Sequence, residues 1–177
     1  MTDRPQGSHS ALGKVSLFAG LSPEETALLH GVFEERAVRA GTALIEEGRP
    51  GREMFVLVSG RVRVVKSMLL PGLEAEALSG QETSKVLAVL DGAGRPFFGE
   101  MSLVSDAPRS ATVEVLEESR FLVADRERFY ALVESRPELG VKLLGALCAR
   151  MAEMVRSSNA QVVKLTTALA LFLSRRA

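Results

Sequence analysis

The chain has 177 residues and a mass of 19.1 kDa, with 46% hydrophobic and 25% charged residues. That is one domain's worth of chain with the balance of a folded protein, which excludes disorder over most of its length. Lysine plus arginine and aspartate plus glutamate stand at 22 each, so a strongly basic nucleic-acid wrapper is excluded as well. The uncharged stretch from Leu165 to Ser174 is too short to span a bilayer, and the polar first residues lack a secretion segment. One cysteine, Cys148, excludes an internal disulfide and, with only His9 and His30, argues against a metal site. These features together predict a soluble cytoplasmic domain without membrane contact.

Neutrality overall hides an asymmetry. From Val141 to Ala177 six bases stand against Glu153 alone, a net of +5, and residues 1–140 carry the opposite net of −5.

Residues 1–12, with Pro5, Gly7 and several serines, predict a disordered tail. A short helix follows: Ser22 is its N-cap, Pro23 its first residue, and Glu25 completes a capping box. From Arg36 to about Val123, β-rich runs alternate with glycines. The run from Phe55 to Val64 has the pattern of a hairpin turning near Gly60. About seven strands spaced by turns predict a sandwich or roll around one core. Residues 67–84 form a longer connection, a loop or helical turn with no assigned function. Asp125 caps a further helix that ends before Pro137.

A much longer helix starts near Pro137. With Val141 as position a of a heptad, the a series runs Val141, Cys148, Val155, Val162, Leu169 and the d series Leu144, Met151, Ser158, Leu165, Phe172. A repeat this long predicts a coiled-coil seam, and valine at a with leucine at d favours a parallel pair. The other reading is an amphipathic helix packed on its own domain. Ser158 is the polar break in the seam.

The densest chemistry lies between Phe98 and Val113. A strand ends at Phe98, Gly99 turns the backbone, and a single helical turn from Glu100 to Val104 offers free amides to an anion. Arg109, nine residues after Glu100, supplies paired donors for a phosphate. Glu100 would repel a bare phosphate but accepts from a sugar hydroxyl. An acid for a sugar and a base for a phosphate describe a nucleotide. The simpler alternative is an Arg109–Glu100 ion pair capping a turn.

The segment Phe98-Gly99-Glu100-Met101-Ser102-Leu103, followed by Pro108-Arg109-Ser110-Ala111-Thr112, resembles the phosphate-binding cassette of the cyclic-nucleotide-binding domain family. The resemblance extends from about Leu17 to the end of the chain and includes Gly48 and Gly60. It implies an α+β, mostly β fold: a double-stranded β-helix or jelly-roll-like β-roll (residues 13–136) with flanking helices and a long C-terminal dimerisation helix (137–177). It implies that Glu100 holds the ribose 2′-hydroxyl, that Arg109 and Ser110 hold the cyclic phosphate, and that backbone amides at Met101 and Ser102, beside Gly99, complete the cradle. Ser102 departs from the usual alanine and adds a hydroxyl without an assigned role. The turn after Glu47 reads Gly-Arg-Pro-Gly where members commonly have Gly-Asp, a departure taken as neutral. Alignment with members resembling the catabolite activator protein sets Ser158 and Asn159 opposite a pair that contacts the base across the dimer. Fixing helix register is the competing role for Ser158.

The expected function is a non-catalytic receptor for a cyclic mononucleotide, cAMP ahead of cGMP on account of Ser110, with no other cofactor. It would form a homodimer through residues 141–172 and pass the signal by moving that helix towards an unidentified protein partner. DNA binding from this chain alone is not expected, and no helix-turn-helix follows the long helix. The alternatives are a constitutive dimerisation or scaffold module, a pocket for another ligand such as a cyclic dinucleotide, and the sensor half of a longer transcription regulator. An enzyme is the weakest contender, because Cys148 falls in the seam and neither histidine lies near the cassette.

Overall fold

The computed structural model describes residues 9–68 and 84–174. The expected connection at 67–84 lies almost wholly outside the described residues, as does the tail up to residue 8. Eight strands fold, among the described residues, into two four-stranded antiparallel sheets. The first holds β1 (Phe33–Val38), β8 (Ser119–Asp125), β3 (Glu53–Ser59) and β6 (Phe97–Phe98) in that order. The second holds β2 (Ala43–Ile45), β7 (Thr112–Val115), β4 (Arg61–Ser67) and β5 (Ser84–Asp91). Helices α1 (His9–Leu12), α2 (Pro23–Leu29), α4 (Arg126–Ser135) and α5 (Pro137–Ser174) flank this roll, while the single turn α3 (Met101–Val104) sits inside the chain path between β6 and β7. No described helix is long and apolar enough to cross a membrane.

The capping chemistry read from the sequence is present. Glu25 N donates to Ser22 Oγ at 3.2 Å and Ser22 N to Glu25 Oε2 at 2.8 Å, which satisfies two otherwise orphaned donors at the start of α2. Arg128 N donates to the carboxylate of Asp125 at 2.9 Å and starts α4.

Two expectations are corrected. The turn at Gly60 exists, but β3 and β4 do not pair with each other. They enter opposite sheets, β3 between β8 and β6 and β4 between β7 and β5. Gly60 is therefore a corner. Its φ of 94° and a Cβ that would fall 2.1 Å from Ser119 Oγ leave room for glycine alone. The expected tail of residues 1–12 is corrected at its end: His9–Leu12 is helical, and Ala11 and Leu12 are fully buried.

The central strands β3 and β8 of the first sheet are apolar on both faces, and this divides the core. Met54 and Val56 of β3, with Leu122 and Ala124 of β8, face the helices and pack with Leu12, Phe18, Leu29, Phe129, Leu143 and Leu147. Phe55 and Leu57, with Phe121 and Val123, face into the roll and pack with Ile45, Val62, Phe98 and Val113. Successive strand residues point to opposite faces, so a continuous apolar run is what a sheet buried on both sides requires.

Because Leu12 belongs to the helical core, Leu12→Ala is expected to lower unfolding free energy by about 2–5 kcal/mol. Urea unfolding followed by circular dichroism measures this, and an unchanged midpoint would return residues 9–12 to the tail.

Candidate functional site

β6 ends at Phe98, and Gly99 follows with a φ of 76°. A Cβ there would lie 2.9 Å from both the Glu53 carbonyl and the Arg109 Nη1, so glycine is needed for conformation and for space. The chain then winds into α3, where Leu103 N donates to the Glu100 carbonyl at 3.1 Å. Ser102 N donates to the Gly99 carbonyl at 3.1 Å, so one of the two amides expected in the cradle already has a partner. Leu103, fully buried, anchors this turn in the helical core.

Above the turn lies a cavity of about 490 Å³. Gly99, Glu100, Met101, Ser102, Arg109 and Ser110 all line it. The structure thus brings six of the eight candidate residues together. Apolar residues of β4 and β5, among them Val64, Leu87 and Leu90, form its opposite wall.

Arg109 and Glu100 do not pair with each other. Arg109 Nη1 donates to Ser102 Oγ at 3.0 Å and, weakly, to the Gly99 carbonyl at 3.4 Å. Its guanidinium is half-buried, and burial lowers its pKa, with Glu53 opposing. Glu53 itself is held by Arg36 at 2.7 Å. Among the described residues, no carboxylate lies within ion-pairing distance of Arg109. The Gly48–Gly51 turn covers its other side: Gly48 N donates to the Arg109 carbonyl at 2.9 Å, and Arg109 N to the Arg49 carbonyl at 2.9 Å. A Cβ on Gly51 would sit 2.2 Å from Arg109 Nε. The Gly-Arg-Pro-Gly turn thus packs against Arg109, although none of its residues lines the cavity.

Glu100 is 5% exposed. Burial raises its pKa, and Arg150 of α5, whose Nε lies 3.7 Å from Glu100 Oε1, opposes the rise. Arg150 also rests over the Phe97 ring at 5.5 Å, and its buried Nε has no hydrogen-bond partner.

The α5 residues at the cavity are Arg150 and Met154, which the sequence reading missed. Ser158 and Asn159, one turn and more beyond Met154, are exposed and do not line this chain's cavity. The available signal was a second stripe on the long helix. Leu139, Leu143 and Leu147 are buried against the domain at four-residue spacing, and Arg150 and Met154 continue that stripe.

Residues 35–136 match the profile of the cyclic nucleotide-binding domain. The chain belongs to that family. It is 34% identical over 137 residues to the cyclic AMP receptor protein of Thermus thermophilus, covering 77% of this chain and 57% of the relative. It is 31% identical over 121 residues to the cAMP-dependent protein kinase regulatory subunit of Dictyostelium discoideum, covering 68% of this chain and 34% of the relative. Among solved structures, the Thermus thermophilus catabolite activator protein superposes with a TM-score of 0.70 at 29% identity, over 85% of this chain and 62% of that one. This chain therefore spans little more than half of the receptor protein it resembles. As a cyclic nucleotide-binding domain it has the jelly-roll architecture of those neighbours, with the Phe98–Thr112 segment at its cavity.

The raised pKa of Glu100 gives a pH signature. A carboxyl whose folded pKa exceeds its ordinary 4.5 contributes stability that is complete below that value and is lost as pH rises through the raised one. Glu100→Gln mimics the protonated form. Its melting temperature is expected to exceed wild type at neutral pH and to converge with it in acid, read by scanning calorimetry across pH. A constant difference at all pH values would contradict the assignment.

Proposed function

We propose that this protein is a non-catalytic receptor for a cyclic mononucleotide, with cAMP preferred. The observation that carries the proposal is the half-buried Arg109 cation, which faces a cavity without a carboxylate partner while a buried carboxylate, Glu100, lines the same cavity. A cyclic phosphodiester supplies the missing negative charge, and its two exocyclic oxygens match the guanidinium fork. The ribose 2′-hydroxyl donates to Glu100, which already holds Arg150. Apolar β4 and β5 residues and the Arg150–Met154 stretch of α5 enclose the base. The names of the relatives, a cyclic AMP receptor protein and a kinase regulatory subunit, support a regulatory role over an enzymatic one.

Coupling runs through packing. Leu103 of α3 shares a core with Phe129 of α4 and with Leu143 and Leu147 of α5. An inward movement of α3 on ligand uptake displaces both helices and, through them, a downstream partner. The ligand shifts this equilibrium only by its differential affinity for the two arrangements.

The active form in this reading is a homodimer through α5. Val141, Val155, Val162, Leu165, Leu169 and Phe172 of the expected seam are 53–73% exposed, while Leu144 of the same seam packs on the domain core with Leu143 and Leu147. Ser158 and Asn159 then approach a ligand only across the helix pair.

Titration calorimetry tests the ligand. Wild type is expected to release or take up heat with cAMP, more tightly than with cGMP, and Arg109→Ala to bind at least about 100-fold more weakly, for loss of a charge-assisted pair. Equal affinity of Arg109→Ala and wild type would end this reading. Sedimentation tests the assembly: Leu169→Glu, at an exposed position remote from the cavity, is expected to convert a dimer to a monomer with an unchanged circular dichroism spectrum.

A further inference from the structure

The cassette of this chain carries a buried hydroxyl at Ser102, and its contacts assign it a role. Ser102 Oγ lies 2.7 Å from the Gly99 carbonyl, 3.0 Å from the Glu53 carbonyl and 3.0 Å from Arg109 Nη1. A hydroxyl has one proton and two lone pairs. The proton goes to a backbone carbonyl, Gly99 being the nearer, and a lone pair accepts from Arg109. The hydroxyl thus ties the loop that delivers Arg109 to the backbone of the Gly99 turn, with the Glu53 carbonyl at the β3 start as the second acceptor within reach of its one proton.

We infer that Ser102 is a positioning residue that holds the Arg109 guanidinium towards the cavity before any ligand arrives. Arginine carries about 2 kcal/mol of rotamer entropy, and a guanidinium without a fixed partner samples many orientations. Here Gly51 lies against one side, where even a methyl group would collide, and the Ser102 oxygen fixes Nη1 from the other. With alanine at 102, Nη1 keeps only the Gly99 carbonyl at 3.4 Å, at the limit of a hydrogen bond. The ordering cost of the arginine is then met during folding and not during binding, which raises affinity without any new contact to the ligand. A neutral hydroxyl suits the task better than a carboxylate. It orients the cation without neutralising it, so the charge stays available to an incoming anion.

The assignment of that anion rests on the cyclic-nucleotide reading, but the positioning itself does not, and the test separates the two. In protein labelled with ¹⁵N-arginine and free of nucleotide, the Arg109 Nη protons of wild type are expected to show restricted rotation about the Nε–Cζ and Cζ–Nη1 bonds of the guanidinium, and those of Ser102→Ala free rotation. Calorimetry on the same pair is expected to show cAMP binding about tenfold weaker in Ser102→Ala, the loss of one hydrogen bond to a charged group. Identical Arg109 rotation in the two proteins would overturn the inference, as would a Ser102→Ala variant that binds cAMP as tightly as wild type or more tightly. If wild type takes up neither cAMP nor cGMP while Arg109 is restricted only when Ser102 is present, the receptor reading falls and the positioning role stands.

Discussion

The structure turns on a cation held without a counter-charge. Arg109 is half-buried, its Nη1 rests on a hydroxyl and a distant carbonyl, and the nearby carboxylate of Glu53 is committed to Arg36 at 2.7 Å. Removing charge from water costs free energy unless a partner compensates. A folded domain that keeps such a group must recover the cost in packing elsewhere, and here the recovery lies in the two cores on either side of the first sheet. In the proposed receptor this leaves Arg109 open to an anion, with no resident carboxylate to displace first. Burial of Glu100 beside it adds a second unfavourable charge, only partly offset by Arg150 at 3.7 Å. Both charges line one cavity, so a single ligand bearing an anion and a hydroxyl relieves both.

The doubly buried sheet explains how so small a site reaches the helices. Phe55 and Leu57 stabilise the roll, while Met54 and Val56, their immediate neighbours, stabilise the helical layer. Glu53, at the start of the same strand, sets its carbonyl 3.0 Å from the Ser102 hydroxyl. Cassette, strand and helical layer are therefore one packed unit. Close packing transmits displacement because interior side chains have few voids to absorb it, and Leu103 is where the cassette meets that interior.

Much of this was legible in the sequence, and the parts that were not share a physical cause. The capping box at Ser22 and Glu25, the cap at Asp125 and the Phe98–Thr112 cassette rest on local bonds, which local sequence encodes. Alternation identifies β3 and β4 as strands but says nothing about which sheet each joins. The corner at Gly60 is thus indistinguishable from a hairpin until Ser119 is seen filling the space beside it. Leu12 stands in a short stretch that carries no periodic signal, yet it is fully buried in a core that includes Phe129, Leu143 and Leu147, far away in the chain. The role of Gly51 depends on a contact with Arg109 across 58 positions, which no local pattern reveals. On α5 the difficulty is different. Two apolar stripes overlap on one helix, and a count fitted to a seven-residue repeat selects the exposed one. The stripe that packs on the domain through Leu143 and Leu147 and reaches the cavity at Arg150 and Met154 does not follow that repeat.

Under the receptor proposal, those two stripes also limit how occupancy of the cavity could pass along α5. An α-helix turns about 20° per heptad relative to a strict seven-residue repeat, so a seam defined by Val141, Val155 and Val162 drifts around the helix relative to the stripe packed on the domain. Between Val141 and Val155 both stripes lie on the same four turns, with Arg150 and Met154 at the cavity and Val155 exposed. A helix is stiff over that length, so a change in how Arg150 and Met154 sit against an occupied cavity cannot leave the exposed stripe in place. It must roll or translate with them. In the proposed dimer neither a hinge nor a separate relay is needed between cavity and helix pair, because the residues that line the cavity and those of the exposed stripe share a single backbone segment.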